Sequence, residues 1–149
     1  MSLAVIPDVV RGREIFSLGP EDTALDAARM MHERDISSVV ILDAEGALLG
    51  IVTERDMSRK VVSEDRRPHD VPLADIMTRD VFTILPGDSP YYALKLMLDR
   101  RFHHLPIVHE DRVVGMVSLR DLRLTVGAAL KPRKPTTLWS FLGLSRASG

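Results

Sequence analysis

Two short segments of this chain place a carboxylate three residues after a hydroxyl: Thr53-Glu54-Arg55-Asp56 and Ser118-Leu119-Arg120-Asp121. An ionised carboxylate can accept two hydroxyl donors at once, and hydrogen bonds to a charged group contribute about 1.5–3 kcal/mol. If a helix starts at each segment, its first N–H groups and its dipole also suit an anion. The same spacing is a helix capping arrangement. Duplication does not separate the two roles, because two helices need two caps.

A second group of polar side chains is His103 and His104, just before an apolar run, with Arg100 and Arg101 upstream. The arginines read as a solvated helix end, favourable near a C-terminus. His109 is close in sequence, but neighbouring residues on a strand point to opposite faces, so a metal site is not expected. The chain has no P-loop, GxGxxG or nucleophile elbow, and Gly46 and Gly50 read as turn glycines. No set of Asp, Ser and His residues requires joint action, so an enzyme is not expected.

The elements that position these residues come in duplicate. Pro20 matches Pro86, Thr23 matches Ser89, Ala27 matches Ala93 and Met31 matches Met97, all at an offset of sixty-six. Ser38-Val39-Val40-Ile41 falls on His104-Leu105-Pro106-Ile107 at that offset, but Gly50 falls on Gly115 and Asp56 on Asp121 at sixty-five. One residue is therefore missing between Ile107 and Gly115, where a turn is expected. Asp8-Val9-Val10 resembles Asp75-Ile76-Met77, so the lead-in recurs too. A long internal period of this kind sets the architecture. Two similar halves facing each other also make clefts, where small molecules bind.

Within each copy the pattern reads strand, helix, strand, strand, helix. Ile15 to Leu18 and Val81 to Ile84 are β-prone runs before turns at Pro20 and Pro86. Thr23 with Asp26 reads as a capping box, and Ser89 as a cap with Pro90 at the first helical position. Leu25, Ala28, Met31 and Tyr91, Leu94, Leu98 lie on helical spacing. Two strands follow in each copy, turning at Asp43 to Gly46 and at Glu110-Asp111, and a second helix starts at Thr53 or Ser118. Ser63 to Asp70 is polar and contains proline, as a linker would.

Composition narrows the function further. The chain has 149 residues, 45% hydrophobic and 28% charged, as in an ordinary globular protein. A net charge of -1 gives no support to nucleic acid as a partner. The absence of cysteine removes disulfides, thiolate metal sites and a cysteine nucleophile. That fits a reducing compartment, and a cytoplasmic location is expected, with no signal peptide or transmembrane segment. After Asp121 no acid opposes Arg123, Lys131, Arg133, Lys134 and Arg146. With Trp139 and Phe141, this tail reads as a loosely attached terminus or a partner-docking segment.

The sequence resembles the CBS-domain family in its paired form, the Bateman module. The resemblance rests on Leu18-Gly19-Pro20-Glu21-Asp22-Thr23, Asp35 to Val40 and Gly50 to Asp56 in the first copy. In the second it rests on Asp75-Ile76-Met77-Thr78, Asp80 to Thr83, His103 to Val108 and Gly115 to Asp121. It implies an α/β (α+β) fold of tandem CBS repeats about a pseudo-twofold axis. The expected divisions are repeat 1 at 5–63, a linker at 64–72, repeat 2 at 73–127 and a tail at 128–149.

The resemblance also implies a function. An adenine nucleotide, AMP, ADP or ATP, with S-adenosylmethionine or NADH behind them, would bind between the repeats with no cofactor required. The module would form a homodimer and regulate an unidentified protein partner. Asp56 and Asp121 would hold ribose hydroxyls, with Thr53 and Ser118 near sugar or phosphate, and His103 and His104 at the phosphate end. Each first-strand segment would line the adenine pocket whose aspartate comes from the other copy. That groups Asp56, Thr53, Phe82, Thr83 and His104 as one site. The other site takes Asp121, Ser118, His103, Ser37 and Phe16. Ile51 and Met116 could pack on the base, although core packing is the commoner fate of such residues. The alternative is a dimerisation and interaction scaffold whose vestigial clefts are filled by Phe16, Phe82 and Met116.

Overall fold

The computed structural model describes residues 3–10 and 14–129. The basic and aromatic tail from Lys131 onward lies outside the described residues. The chain runs through a π-turn (Val5–Val9), β1 (Ser17–Leu18), α1 (Ala24–Arg34), β2 (Ser38–Leu42) and β3 (Leu48–Thr53). Then come α2 (Glu54–Asp56), continued by a π-helix (Met57–Val62), a 3-10 turn (Pro68–Asp70) and α3 (Leu73–Ile76). The second copy follows as α4 (Pro90–Arg100), β4 (His104–His109), β5 (Arg112–Ser118) and α5 (Leu119–Ala129).

Local chemistry accounts for the helix starts. The Thr23 amide donates to Asp26 Oδ2 at 2.9 Å, and the Asp26 amide donates to Thr23 Oγ1 at 3.2 Å. The Thr23 N–H, the larger influence, and its hydroxyl hold the Asp26 carboxyl below its ordinary pKa. Ser89 caps α4 through the Tyr91 amide at 3.2 Å, with Pro90 inside the first turn. Both helices end in a left-handed residue, Asp35 and Arg101. The buried stripes are Ala24, Ala27 and Met31 on α1, and Pro90, Ala93 and Met97 on α4. This corrects the stripe expected from spacing: Tyr91 is 52% and Leu98 60% exposed. Small residues at Ala27 and Ala93 let each helix lie close to its sheet, so the larger apolar side chains fall to the flanks.

The sheets also depart from strict repetition. In the first copy β1 pairs parallel with β2, and β2 antiparallel with β3. In the second copy β4 pairs with β5, but the strand expected over Val81 to Ile84 shrinks to one bridge, Ile84 with Ile107. The Ile84 amide donates to Pro106 O at 3.1 Å, and the Val108 amide donates to Ile84 O at 2.8 Å. The next bond of a parallel ladder would run from the amide of residue 106 to the carbonyl of Phe82. Pro106 has no N–H to give. Its counterpart Val40 has one, and β1 forms there.

The one-residue deletion falls on the β4–β5 hairpin. Asp43 to Ala47 connect β2 and β3, whereas His109 pairs with Arg112 across Glu110-Asp111. Those two residues have φ of 49 and 61, as a tight hairpin turn requires.

The lead-in segments are exchanged. Leu73, Ile76 and Met77 complete the core of the first copy, with Val39, Ile41 and Val52. Val5 and Val10 complete the core of the second, with Ile84, Leu105, Ile107 and Leu122. The backbone bonds repeat this exchange: Leu73 N to Asp22 O and Ala74 N to Pro20 O in one copy, Val5 N to Asp88 O and Ile6 N to Pro86 O in the other. Val10 N reaches Val5 O where Met77 N reaches Leu73 O. The wider π-turn thus absorbs the extra residue of the first lead-in. Each repeat needs the other's preceding segment to close its core.

Candidate functional site

Both hydroxyl–carboxylate segments are capping boxes at the end of a hairpin strand. The Thr53 amide donates to Asp56 Oδ2 at 2.8 Å, and the Asp56 amide to Thr53 Oγ1 at 3.4 Å. The Ser118 amide donates to Asp121 Oδ2 at 2.9 Å, and the Asp121 amide to Ser118 Oγ at 3.1 Å. The first helical amides are taken as well, Glu54 N by Ser37 O and Leu119 N by His103 O. The helix starts therefore offer an anion fewer N–H groups than the motif implies.

Each aspartate stands in a cleft built from both repeats. Asp56 and Thr53 line a cleft of about 480 Å³ together with Ile51, Thr78, Phe82, Arg101 and Phe102. Phe82 stacks on Phe102 at 5.5 Å between ring centroids, and the Arg100 guanidinium lies 5.0 Å over the Phe82 ring. Ile51 and Thr78 exchange two backbone bonds, of 3.1 and 3.0 Å. Gly50 permits that approach, since a Cβ there would sit 2.7 Å from Thr78 O. Lys60 Nζ lies 3.0 Å from Asp56 Oδ1 and donates to Ile76 O at 2.7 Å.

Asp121 and Ser118 line a larger cleft of about 1250 Å³ with Phe16, Arg34, Asp35, Met116 and Arg120. Arg34 lies 5.1 Å over the Phe16 ring, repeating the Arg100–Phe82 contact. At the position equivalent to Lys60 stands Thr125, whose Oγ1 donates to Asp121 O at 3.1 Å.

A wall divides the two clefts. Ser37, His103 and His104 line both. Ser37 Oγ and His104 Nε2 are 2.7 Å apart. Burial, then the neighbouring His103, push the His104 pKa down to about 4 against a smaller opposing pull from Asp121. His104 is therefore neutral near neutral pH and offers a ligand a hydrogen bond, not a charge.

The structure brings together most of the expected residues in two groups, with three differences. Thr83 is exposed and does not line the Asp56 cleft; the absent ladder at Phe82 leaves no strand to aim it. Ser37, His103 and His104 do not divide between clefts, because they form the shared wall. Arg100 and Arg101 are more than a solvated helix end: one covers Phe82 and the other lines the Asp56 cleft.

Arg55, Arg120, Thr78, Asp80 and Asp35 also line the clefts; the sequence motifs contain them but assign them no role in a site. A signal for Asp35 and Arg101 exists, since the offset of sixty-six superposes them with opposite charge. Among the described residues, no group of three or more His, Cys, Asp or Glu comes together as a metal site. No helix among them is long and apolar enough to cross a membrane.

Comparisons agree with this architecture. The family model of the CBS domain matches residues 8–63 and 73–127. An uncharacterized protein of Methanopyrus kandleri is 37% identical over 114 residues, 76% of this chain and 58% of its own. The chain spans between 52% and 65% of the length of the curated relatives it matches first. A protein with CBS domains from Burkholderia ambifaria is 31% identical, with a TM-score of 0.75 over 84% of this chain and 90% of that one. The CBS domain pair of protein MJ0100, solved with methylthioadenosine and S-adenosylmethionine, shares the fold. It has a TM-score of 0.72 at 24% identity, over 79% of this chain and 92% of that one. Two matched copies, exchanged lead-ins and a cleft on each side of a common wall make this chain a member of the CBS domain family, carrying two CBS domains in tandem.

Proposed function

We propose that the protein is a ligand-sensing regulatory module that binds an adenosine-containing nucleotide of the AMP, ADP or ATP class between its repeats. It passes the bound state to a partner protein in the cytoplasm and catalyses nothing. The observation that carries this reading is the composition of each cleft. Thr53 and Asp56 of one repeat face Phe82 of the other, and Ser118 and Asp121 face Phe16. A ligand held this way touches both repeats, so its binding energy depends on how they are placed. Such dependence is what lets a ligand shift one arrangement toward another, with couplings of about 1–3 kcal/mol. S-adenosylmethionine and NADH stand next as guests, and the ligands of MJ0100 are a precedent for adenosine compounds in this fold. The exposed Tyr91 and Leu98 of α4 are apolar area that a homodimer would cover.

A second reading, a dimerisation scaffold with vestigial clefts, has its own support. Asp56 is already engaged through both oxygens, by Thr53 and by Lys60. Thermal unfolding with AMP, ADP, ATP, S-adenosylmethionine and NADH separates the readings. A ligand at about a hundred times its Kd adds about 2.7 kcal/mol, a shift of several degrees. A rise with one adenosine compound, lost in Asp56→Ala or Asp121→Ala, supports the sensor and names its working cleft. No rise with any of them favours the scaffold. Turnover of ATP or AMP would revive an enzymatic role.

A further inference from the structure

The segment leaving α4, Arg101-Phe102-His103-His104, and the segment leaving α1, Asp35-Ile36-Ser37-Ser38, are repeat equivalents. Arg101 lines the Asp56 cleft and Asp35 the Asp121 cleft. Both adopt the same left-handed backbone, with φ of 58 and 51. Their side chains therefore leave equivalent points of the fold with opposite charge. Three other equivalent pairs along the clefts keep their sign, Asp80 with Glu14, Arg55 with Arg120 and Asp56 with Asp121, while Glu54 lines both clefts and has the apolar Leu119 as its equivalent. The larger cleft has two further cations, Arg34, which lies over the Phe16 ring, and Arg123 on the exposed side of α5, where the first repeat has Ser58.

Asp35 is also an unfavourable choice for its own helix. It puts an acid at the negative end of the dipole. Its backbone conformation suits glycine best and asparagine or aspartate next. Arg101, at the same place on α4, has the dipole in its favour.

We propose that this reversal sorts ligands between the clefts. The Asp56 cleft takes a phosphorylated adenine nucleotide, whose anionic end pairs with Arg101. The Asp121 cleft, with Asp35 in that place, takes an adenosine compound without phosphate, neutral or cationic. The Phe82–Phe102 stack suits the smaller cleft to a flat base. The inference deepens the nucleotide-sensing reading and rests on it.

Calorimetric titration of the full chain with AMP and with adenosine tests it. The wild type binds one equivalent of AMP and two of adenosine. Arg101→Asn weakens AMP on the order of tenfold and leaves adenosine within about twofold, while Arg101→Lys retains AMP. Asp35→Asn raises AMP to two equivalents. Asparagine tolerates the left-handed backbone, so both variants keep the fold. Two equivalents of AMP in the wild type overturn the inference. So does equal loss of AMP and adenosine in Arg101→Asn, or AMP binding that depends on Arg123 and not on Arg101. A wild type that binds neither ligand overturns the nucleotide reading itself, and is told apart by the missing adenosine heat.

Discussion

The Asp56 and Asp121 clefts are assembled from the same parts in the same order, yet they differ in size and in the side chains that line them. In the smaller, Phe102 stacks beneath Phe82, Thr78 clamps Ile51, and Lys60 ties Asp56 to the Ile76 carbonyl. In the larger, Ile36 stands where Phe102 does, and Thr125 stands where Lys60 does. The two clefts have volumes of about 480 and 1250 Å³. A duplicated frame conserves the capping boxes and hairpins because each copy needs them to fold. Side chains that only face the cleft are free to diverge, and there the two halves acquire different size and a different placement of charge.

The sharpest way to break the comparison is at the paired glycines. A Cβ on Gly50 meets Thr78 O at 2.7 Å and Met77 Sδ at 2.8 Å, and the carbonyl belongs to a bridged backbone. Gly50→Ala is expected to cost about 3 kcal/mol, at the high end for over-packing. Among the described residues, a Cβ on Gly115 meets the flexible end of Ile107 at 3.1 Å and Ile6 Cδ1 at an ordinary 3.6 Å, so Gly115→Ala should cost about 1 kcal/mol or less. Urea unfolding of the two variants reads the difference directly. Equal losses would mean that Thr78 does not clamp the smaller cleft.

The shared wall gives the next effect. The pKa of His104 is lowered on folding from its ordinary 6.5 to about 4, so the unfolded chain takes up the proton first as pH falls. The stability that neutral His104 permits is complete above pH 6.5 and is lost progressively down to about 4. Discounted for partial exposure, the loss is about 2 kcal/mol. Unfolding of the wild type and of His104→Gln across that window should show a slope that only the wild type carries.

Smaller changes sharpen the functional side. Asp56→Asn and Asp121→Asn keep much of the cap and should each cost about 1 kcal/mol or less. In the sensing reading, one of them also abolishes stabilisation by an adenine nucleotide. A stability loss with no ligand effect in either variant would leave both aspartates as caps. Smallest is Arg100→Met, which removes a guanidinium from the Phe82 face for about 0.5 kcal/mol. Its thermal midpoint should match that of Arg34→Met, the same contact in the other copy.

How far the sequence could be read depended on the range of the interaction. Thr23 with Asp26, Ser89 with Pro90, and the shortened turn before Gly115 are local patterns, so the letters carry them. The helix faces were harder. Spacing alone favoured the bulky Tyr91 and Leu98, whereas close packing on the sheet selected Ala93 and Met97. Val81 to Ile84 looked like a strand by composition, but the deciding residue, Pro106, lies more than twenty positions away on the partner strand.

By itself, then, the sequence determined the duplication, the order of elements in each copy, the capping boxes and the hairpins. Each depends on residues within a turn or two of one another, or on a period visible along the chain. Which segment faces which aspartate entered that reading through the family resemblance alone. Tertiary structure alone decided that the lead-ins are exchanged, that Ser37 meets His104 across the wall, and that Arg101 and Asp35 turn opposite charges into equivalent clefts. Those contacts join residues some fifty positions apart or more, or depend on how one repeat packs on the other. No local propensity or period encodes that packing.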